Sequence, residues 1–98
     1  MIVRWSEHAR NQVAEILDYI ARDRPNVAER ILESFLARTA LLADFPEQGS
    51  EWGGEERPDL RSIVHEKHRI VYRVSPDEVA VLSVRHTRQE VEPIPEEG

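Results

Sequence analysis

The chain has 98 residues, which is enough for one domain with a single modest core and too few for a second domain that binds a cofactor. Its formal net charge of −6 argues against a protein that coats nucleic-acid duplexes, because such proteins normally carry a basic excess. The absence of cysteine excludes disulfides, thiolate catalysis and cysteine-ligated zinc, and the absence of a long apolar run leads us to expect a cytoplasmic protein.

The N-terminal half predicts a strand followed by a helical hairpin. Ile2 to Trp5 is a short apolar run typical of a strand, and Ser6 stands where a helix N-cap would. Pro25 cannot lie inside the first helix but suits the first turn of a second one, which we expect to end near Phe45. The predicted apolar stripes are Ala9, Val13, Ile16, Leu17 and Ile20 in the first helix and Ala28, Ile31, Leu32, Phe35, Thr39 and Leu42 in the second.

Residues 46–59 lose this periodicity and predict an acidic loop. The segment holds five acidic side chains against one arginine, together with three glycines. A loop of this length is uncommon in so small a domain and often has a function. Trp52 is expected to fold back and cap the edge of the core, because large aromatic side chains dominate core burial.

Three strands are predicted next, over residues 60–65, 69–74 and 79–86, with turns at 66–67 and 75–78. Period-two alternation in the central strand directs Ile70, Tyr72 and Val74 towards the helices. The uncovered face is predicted to hold Arg69, Val71 and Arg73 from the central strand, Val79, Val81, Ser83 and Arg85 from the last, and, in the simplest register, Arg61, Ile63 and His65 from the first.

This uncovered face predicts a binding surface. Residues 60–88 carry six basic and three acidic side chains, so the sheet is basic within an acidic protein and favours a local anionic partner. An apolar patch edged by arginines usually marks an interface. The histidines at 65 and 68 lie across a turn and not on one helix face, so we predict no metal site and no cofactor.

The order and spacing of several short sequence segments resemble those of the ParE branch of the ParE/RelE toxins of bacterial type II toxin–antitoxin systems. The resemblance covers Val3 to Arg88. The segments that carry it are Trp5-Ser6, Ala9, Ile16 to Ala21, Pro25, Ala28 to Ile31, Leu42 to Pro46, Gly49, Leu60 to Ser62, Arg69 to Val74 and Val84 to Arg88.

The resemblance implies an α+β fold in which an N-terminal strand and an antiparallel helical hairpin pack on a small antiparallel sheet. It also implies neutralisation by an antitoxin of the ParD type, and growth arrest through DNA gyrase in the ParE branch or through mRNA cleavage on the ribosome in the RelE branch. We expect one toxin domain over residues 1–88 and an acidic C-terminal tail over residues 89–98 whose order stays open.

The two branches differ in the chemistry that they require. Cleavage of RNA by its own 2′-hydroxyl needs a base, an acid and cations for the developing phosphorane charge. Arg69 occupies the position of a phosphate-binding arginine in RelE-type toxins, but Leu60 and Ser62 stand where those enzymes carry lysines, and the C-terminal tyrosine is missing. His86 is the best-placed histidine for acid–base work. The candidate nuclease set is Arg69, Arg73, Arg85, His86 and Arg88.

We therefore predict a ParE-like toxin that binds gyrase and plays no catalytic role, with a RelE-like endoribonuclease and a non-toxic partner-binding module as alternatives. The target is expected to meet Arg73, Arg85, His86 and Arg88. The antitoxin is expected to cover part of the helical hairpin and the open sheet face. On that face its predicted contacts are Arg61, Ile63, Arg69, Val71, Arg73, Val79, Val81 and Arg85.

Overall fold

The computed structural model describes residues 1–89 and 93–95, so most of the predicted tail lies outside the described residues. Two helices cover one face of a five-stranded mixed sheet whose strand order is β1-β5-β4-β3-β2. This confirms the α+β class, although β1 pairs parallel with β5 and β2 was not predicted. The elements are β1 (Ile2–Trp5), α1 (Glu7–Ala21), α2 (Pro25–Ala40), a 3-10 turn (Leu41–Ala43), β2 (Ser50–Glu51), β3 (Leu60–His65), β4 (His68–Val74) and β5 (Glu78–His86).

The helix boundaries follow from local chemistry. Ser6 caps α1, since its Oγ accepts a hydrogen bond from the Ala9 N–H at 3.1 Å. Pro25 opens α2 in the first turn, where its missing N–H has no partner to lose. The α-helix ends at Ala40, earlier than predicted, because the chain tightens into the 3-10 turn before the loop.

The core lies between the helices and the sheet, and on the sheet side it is organised in rows that run across the strands. Directly paired residues share a face, so the register of the strands places Ile63, Ile70 and Val84 in one row under the helices. A second row joins Tyr72 to Val81 and Trp5. The buried members of the cluster are Ala9, Val13, Phe35, Leu42, Ile63, Ile70, Tyr72, Val79, Val81 and Val84.

One irregularity in β5 decides which side chains face the helices. The pairing of β4 with β5 shifts between Val71 and Tyr72, so that Val71 faces Ser83 while Tyr72 faces Val81. Leu82 is therefore an extra residue, as in a β-bulge, and it reverses the alternation of the strand. The predicted orientation was consequently right for Val84 and Arg85 but wrong for the residues before the bulge, where Val79 and Val81 are fully buried in the core.

The predicted facing of β3 was also wrong. Ile63 pairs with Ile70 and Arg61 with Tyr72, so both lie on the helix side of the sheet. Ile63 belongs to the core cluster. Arg61 reaches the end of the acidic loop, where its Nη1 donates to the carbonyl oxygens of Gly49 at 2.7 Å and Glu47 at 3.3 Å.

The Tyr72 hydroxyl fixes the start of the acidic loop to the core. It donates to the Pro46 carbonyl at 2.7 Å and accepts from the Gly49 N–H at 2.9 Å. Burial raises the pKa of this phenol, so the hydroxyl stays protonated and available as a donor. Gly49 is required here because a Cβ would lie 2.5 Å from the Tyr72 hydroxyl oxygen.

We predict that Tyr72→Phe lowers the free energy of unfolding by about 1–3 kcal/mol, since it leaves the buried Gly49 N–H and the partly buried Pro46 carbonyl without their partner. Urea unfolding followed by circular dichroism measures the change. Tyr19→Phe is the matched control, because the Tyr19 side chain is 74% exposed and should lose nothing on removal of its hydroxyl. Equal stability of the two variants would show that the loop does not depend on this hydroxyl.

Candidate functional site

Four arginines lie on the sheet face away from the helices, two in each of two rows across the strands. Arg4 and Arg73 flank Ala80 in one row, and Arg69 and Arg85 are direct partners in another. The rows are four residues apart along β4, a separation of about 13 Å between their backbones. We call these four residues, Arg4, Arg69, Arg73 and Arg85, the arginine face.

Small side chains form the floor between the two arginine rows. Ser62, Val71 and Ser83 are neighbours across β3, β4 and β5, and each is at most 3% exposed. The Arg69 side chain extends towards this floor, with Nη1 donating to Ser62 Oγ at 3.2 Å. The predicted apolar patch is thus not open to solvent, because the valines expected there are buried beneath the open face or within the core.

Trp52 contributes to this face and not to the core edge as predicted. Its indole ring lies 5.2 Å from the Arg69 guanidinium carbon, a cation–π distance. The backbone N–H of Trp52 donates to the Leu60 carbonyl. This bond continues the short β2–β3 pairing and holds the loop beside the arginine face. The acidic loop is therefore attached to both faces of the sheet, through Trp52 on one side and Tyr72 on the other.

A carboxylate partly neutralises one end of the arginine face. Glu78 Oε2 lies 2.8 Å from Arg4 Nη2 and 4.0 Å from Arg73 Nη2. The hydrogen bond from Arg4 is the main reason why the pKa of Glu78 is lowered. Glu78 stays ionised at neutral pH and is a poor source of protons.

The candidate acid–base residues lie on the opposite face of the sheet. His65, His68 and His86 are direct partners across β3, β4 and β5, and we call them the histidine row. The ring centroid of His68 lies 5.5 Å from that of His86 and 5.4 Å from that of Phe35, both in edge-to-face geometry. Ser34 of α2 hydrogen bonds to His65 Nε2. The sheet therefore separates these imidazoles from the arginine face.

The predicted target-binding residues do not form one cluster. Arg73 and Arg85 belong to different rows of the arginine face, His86 lies on the helix side, and Arg88 is exposed in the turn after β5. Of the predicted antitoxin contacts, Arg69, Arg73 and Arg85 share the open face with the buried Val71. The remaining four predicted contacts, Arg61, Ile63, Val79 and Val81, lie on the helix side.

Sequence reasoning missed an apolar groove on the helical hairpin. Leu32 and Leu36, one turn apart on α2, are partly exposed beside Leu17 and Trp5. Together with Arg10, Val13 and Ala14 they line a groove of about 360 Å³. The spacing of the two leucines could have signalled it, because Ala28, Phe35 and Thr39 already supply the buried stripe of α2.

Within the described residues no helix is long and apolar enough to cross a membrane.

The family model of the ParE toxin of the type II toxin–antitoxin system parDE matches residues 3–91. The chain is 30% identical over 88 residues to a protein of Sinorhizobium fredii (strain NBRC 101917 / NGR234) named "Putative toxin Y4kP", with 90% of each chain covered.

Two solved structures share the fold. A chain of the chromosomal ParDE toxin–antitoxin system from P. aeruginosa matches with a TM-score of 0.73 and 20% identity, covering 88% of this chain and 95% of that one. A chain of the toxin–antitoxin complex RelBE2 from Mycobacterium tuberculosis matches with a TM-score of 0.58 and 20% identity, covering 87% and 95%. At this identity the likeness concerns the fold alone.

We predict that His68 makes stability depend on pH. Burial lowers its pKa in the folded state, whereas the unfolded chain titrates near the ordinary histidine value of about 6.5. Its contribution is fully present above that value and is lost as pH falls through it, because the unfolded state then binds more protons. Urea unfolding between pH 8 and 5.5 should show this decline, and His68→Asn should reduce it. A decline that is unchanged in His68→Asn would assign it to other groups.

Proposed function

Because this chain belongs to the ParE toxin family of type II toxin–antitoxin systems, we propose that it arrests growth by binding DNA gyrase and is neutralised by a ParD-like antitoxin. In this proposal the toxin acts in the cytoplasm, engages gyrase during its DNA-cleaving cycle and stops replication. We propose that such a pair stabilises a plasmid that encodes it.

The separation of cations from proton carriers is the observation that favours binding over catalysis. An RNA-cleaving site needs an acid and a base within reach of the groups that stabilise the phosphorane. Arg69 and Arg85 lie on the open face, while the half-buried histidine row lies on the helix side of the sheet. Glu78 does lie on the arginine face, but Arg4 holds its carboxylate ionised, so it cannot supply the proton that the leaving group needs. The geometry of the described residues thus supports a binding role.

We propose that gyrase meets the end of the sheet where β5 leaves it. Arg85 ends the open face there, and Arg88 follows three residues later in an exposed turn. Of the predicted set, His86 borders this end from the helix side, whereas Arg73 lies in the other row of the arginine face, about 13 Å away along β4. Charged residues at the rim of an interface affect association rate and specificity strongly.

We further propose that the antitoxin uses two surfaces. The arginine face offers guanidinium groups to acidic side chains, and its cation–π contact with Trp52 presents Arg69 in a fixed position. The groove beside Leu32 and Leu36 offers the exposed apolar area that the sheet face lacks. A polypeptide with an amphipathic helix and an acidic segment would match both.

The domain boundary is part of the same proposal. Residues 1–88 form the toxin domain, in which β1 and β5 are direct neighbours. Residues 89–98 carry four acidic side chains and no basic one, and we propose that they are an appendage of the domain. Residues 90–92 and 96–98 lie outside the described residues.

We predict that Arg85→Glu combined with Arg88→Glu raises the toxin concentration needed to inhibit gyrase supercoiling by roughly tenfold or more, as expected when a charged interface contact is reversed. The assay uses purified toxin, gyrase and relaxed plasmid. Arg22→Glu combined with Arg30→Glu is the matched control, because both residues are exposed on the helical hairpin and should leave inhibition unchanged. Arg88→Glu alone provides a variant that touches no buried atom.

Three outcomes would contradict this proposal at different levels. Unchanged inhibition by the folded Arg85 and Arg88 variant would reject the contact surface but keep gyrase as the target. A native toxin that spares supercoiling yet stops translation first in pulse-labelled cells would favour the ribosome-dependent endoribonuclease, in which Arg69→Ala or His86→Ala should abolish mRNA cleavage. Harmless expression of the toxin alone would favour a non-toxic binding module.

For the antitoxin we predict that Arg69→Gln and Leu36→Glu each weaken binding by about tenfold, corresponding to the loss of one interface contact of about 1.4 kcal/mol. Calorimetric titration with the antitoxin from the neighbouring reading frame measures this. Arg22→Glu should bind normally. If only Leu36→Glu weakens binding, the helical groove is the antitoxin site and the arginine face is free for another partner.

A further inference from the structure

The turn after β5 is held by its own histidine. The backbone N–H of Arg88 donates to the imidazole Nδ1 of His86 at 3.1 Å. The backbone N–H of His86 donates to the side-chain oxygen of Gln89 at 2.9 Å. The Gln89 N–H in turn donates to the His86 carbonyl at 3.0 Å. Residues 86–89 therefore close on themselves around the imidazole, and we call them the C-terminal turn.

This turn is also fastened to the hairpin between β3 and β4. The Thr87 N–H donates to the Lys67 carbonyl at 3.0 Å. His68 braces the same hairpin, since its Nδ1 hydrogen bonds to the Glu66 carbonyl at 2.8 Å while its ring packs against His86. Glu66 and Lys67 both have positive φ, so the hairpin adopts a backbone that these residues rarely populate without support.

The hydrogen bonds assign opposite tautomers to the two imidazoles. His68 Nδ1 faces a carbonyl and must carry a hydrogen, whereas His86 Nδ1 faces an N–H and must offer its lone pair. Neutral His86 therefore carries its hydrogen on Nε2. A second proton on His86 has only Nδ1 as its site.

We propose that His86 is a proton-operated latch, in which the neutral ring accepts from the Arg88 N–H and fixes the C-terminal turn, and the protonated ring releases it. When Nδ1 is protonated it becomes a donor and faces the donor N–H of Arg88, so that hydrogen bond is lost. The consequence for toxicity depends on the proposed function, since Arg88 is a proposed gyrase contact. The release itself does not.

The surroundings of His86 include charged and titratable groups from each neighbouring element. From α1, Glu15 and Tyr19 line the same open pocket of about 390 Å³, together with Gln89. From β4, His68 packs against the imidazole, and Arg88 follows it in the C-terminal turn. Glu66 precedes His68 in the hairpin, and His65 is the direct partner of His68 on β3.

Nuclear magnetic resonance of the native, full-length chain between pH 5 and 8 tests the latch. The ring signals of His86 report its protonation, and the Arg88 and Thr87 amide signals report the turn. We expect the Arg88 amide shift to follow the His86 titration with the same midpoint. Amide hydrogen exchange at Arg88, corrected for intrinsic pH dependence, should rise by about two- to tenfold on protonation, the range for loss of one hydrogen bond.

Two variants separate the latch from general acid destabilisation. His86→Asn retains an acceptor oxygen near the position of Nδ1 but does not titrate, so its Arg88 amide should be insensitive to pH over this range. His8→Asn removes a histidine of α1 and should leave the native behaviour intact. An Arg88 amide that ignores the His86 titration in the native chain would overturn the proposal, as would an unchanged pH response in folded His86→Asn. Neither result bears on gyrase binding, which the supercoiling assay tests separately.

Discussion

The extra residue in β5 is the constraint on which the two faces of this sheet depend. Without the bulge at Leu82, strict alternation would send either the valines at 79 and 81 or Val84 away from the helices. With it, all three pack in the core, and Arg85 reaches the open face while His86 lies under the helices. A register shift by one residue thus determines both the hydrophobic core and the distribution of charge at the end of the sheet.

The separation that results supports the proposed binding role. The arginine face presents cations over a floor of small buried residues, and the imidazoles on the other side are engaged by Ser34, Glu66 and Arg88. Polar groups inside the fold serve positioning as well. The Tyr72 hydroxyl and the Arg61 guanidinium hold the carbonyl groups of the acidic loop, and Trp52 sets that loop against Arg69. The loop is therefore ordered by the sheet without contributing to its core.

Periodicity and turn chemistry were sufficient to predict both helices, four of the five strands, the two turns that join β3, β4 and β5, and the core side of β4. The capping serine and Pro25 fixed two helix starts, because their local chemistry acts without tertiary contacts. The open face was predicted only in part. A bulge has no signature in a continuous apolar run, so residues 79–86 read as a uniform strand. Arg61 and Trp52 took their places from contacts with residues distant in sequence, and the two-residue β2 is too short to leave a pattern.

The parallel pairing of β1 with β5 has a consequence for how each new chain is made. Arg4 bonds to Glu78, 74 positions away, and the Ser6 N–H that begins α1 depends on the Val81 carbonyl. The first strand therefore has no partner in the sheet until residues 78–81 have been made. Synthesis of the stretch from β1 to the end of β5 takes about 4–17 seconds, during which the assembled arginine face does not exist. Non-local pairing of this kind delays folding until the last strand is present, so the arginine face forms only after β5 has been made.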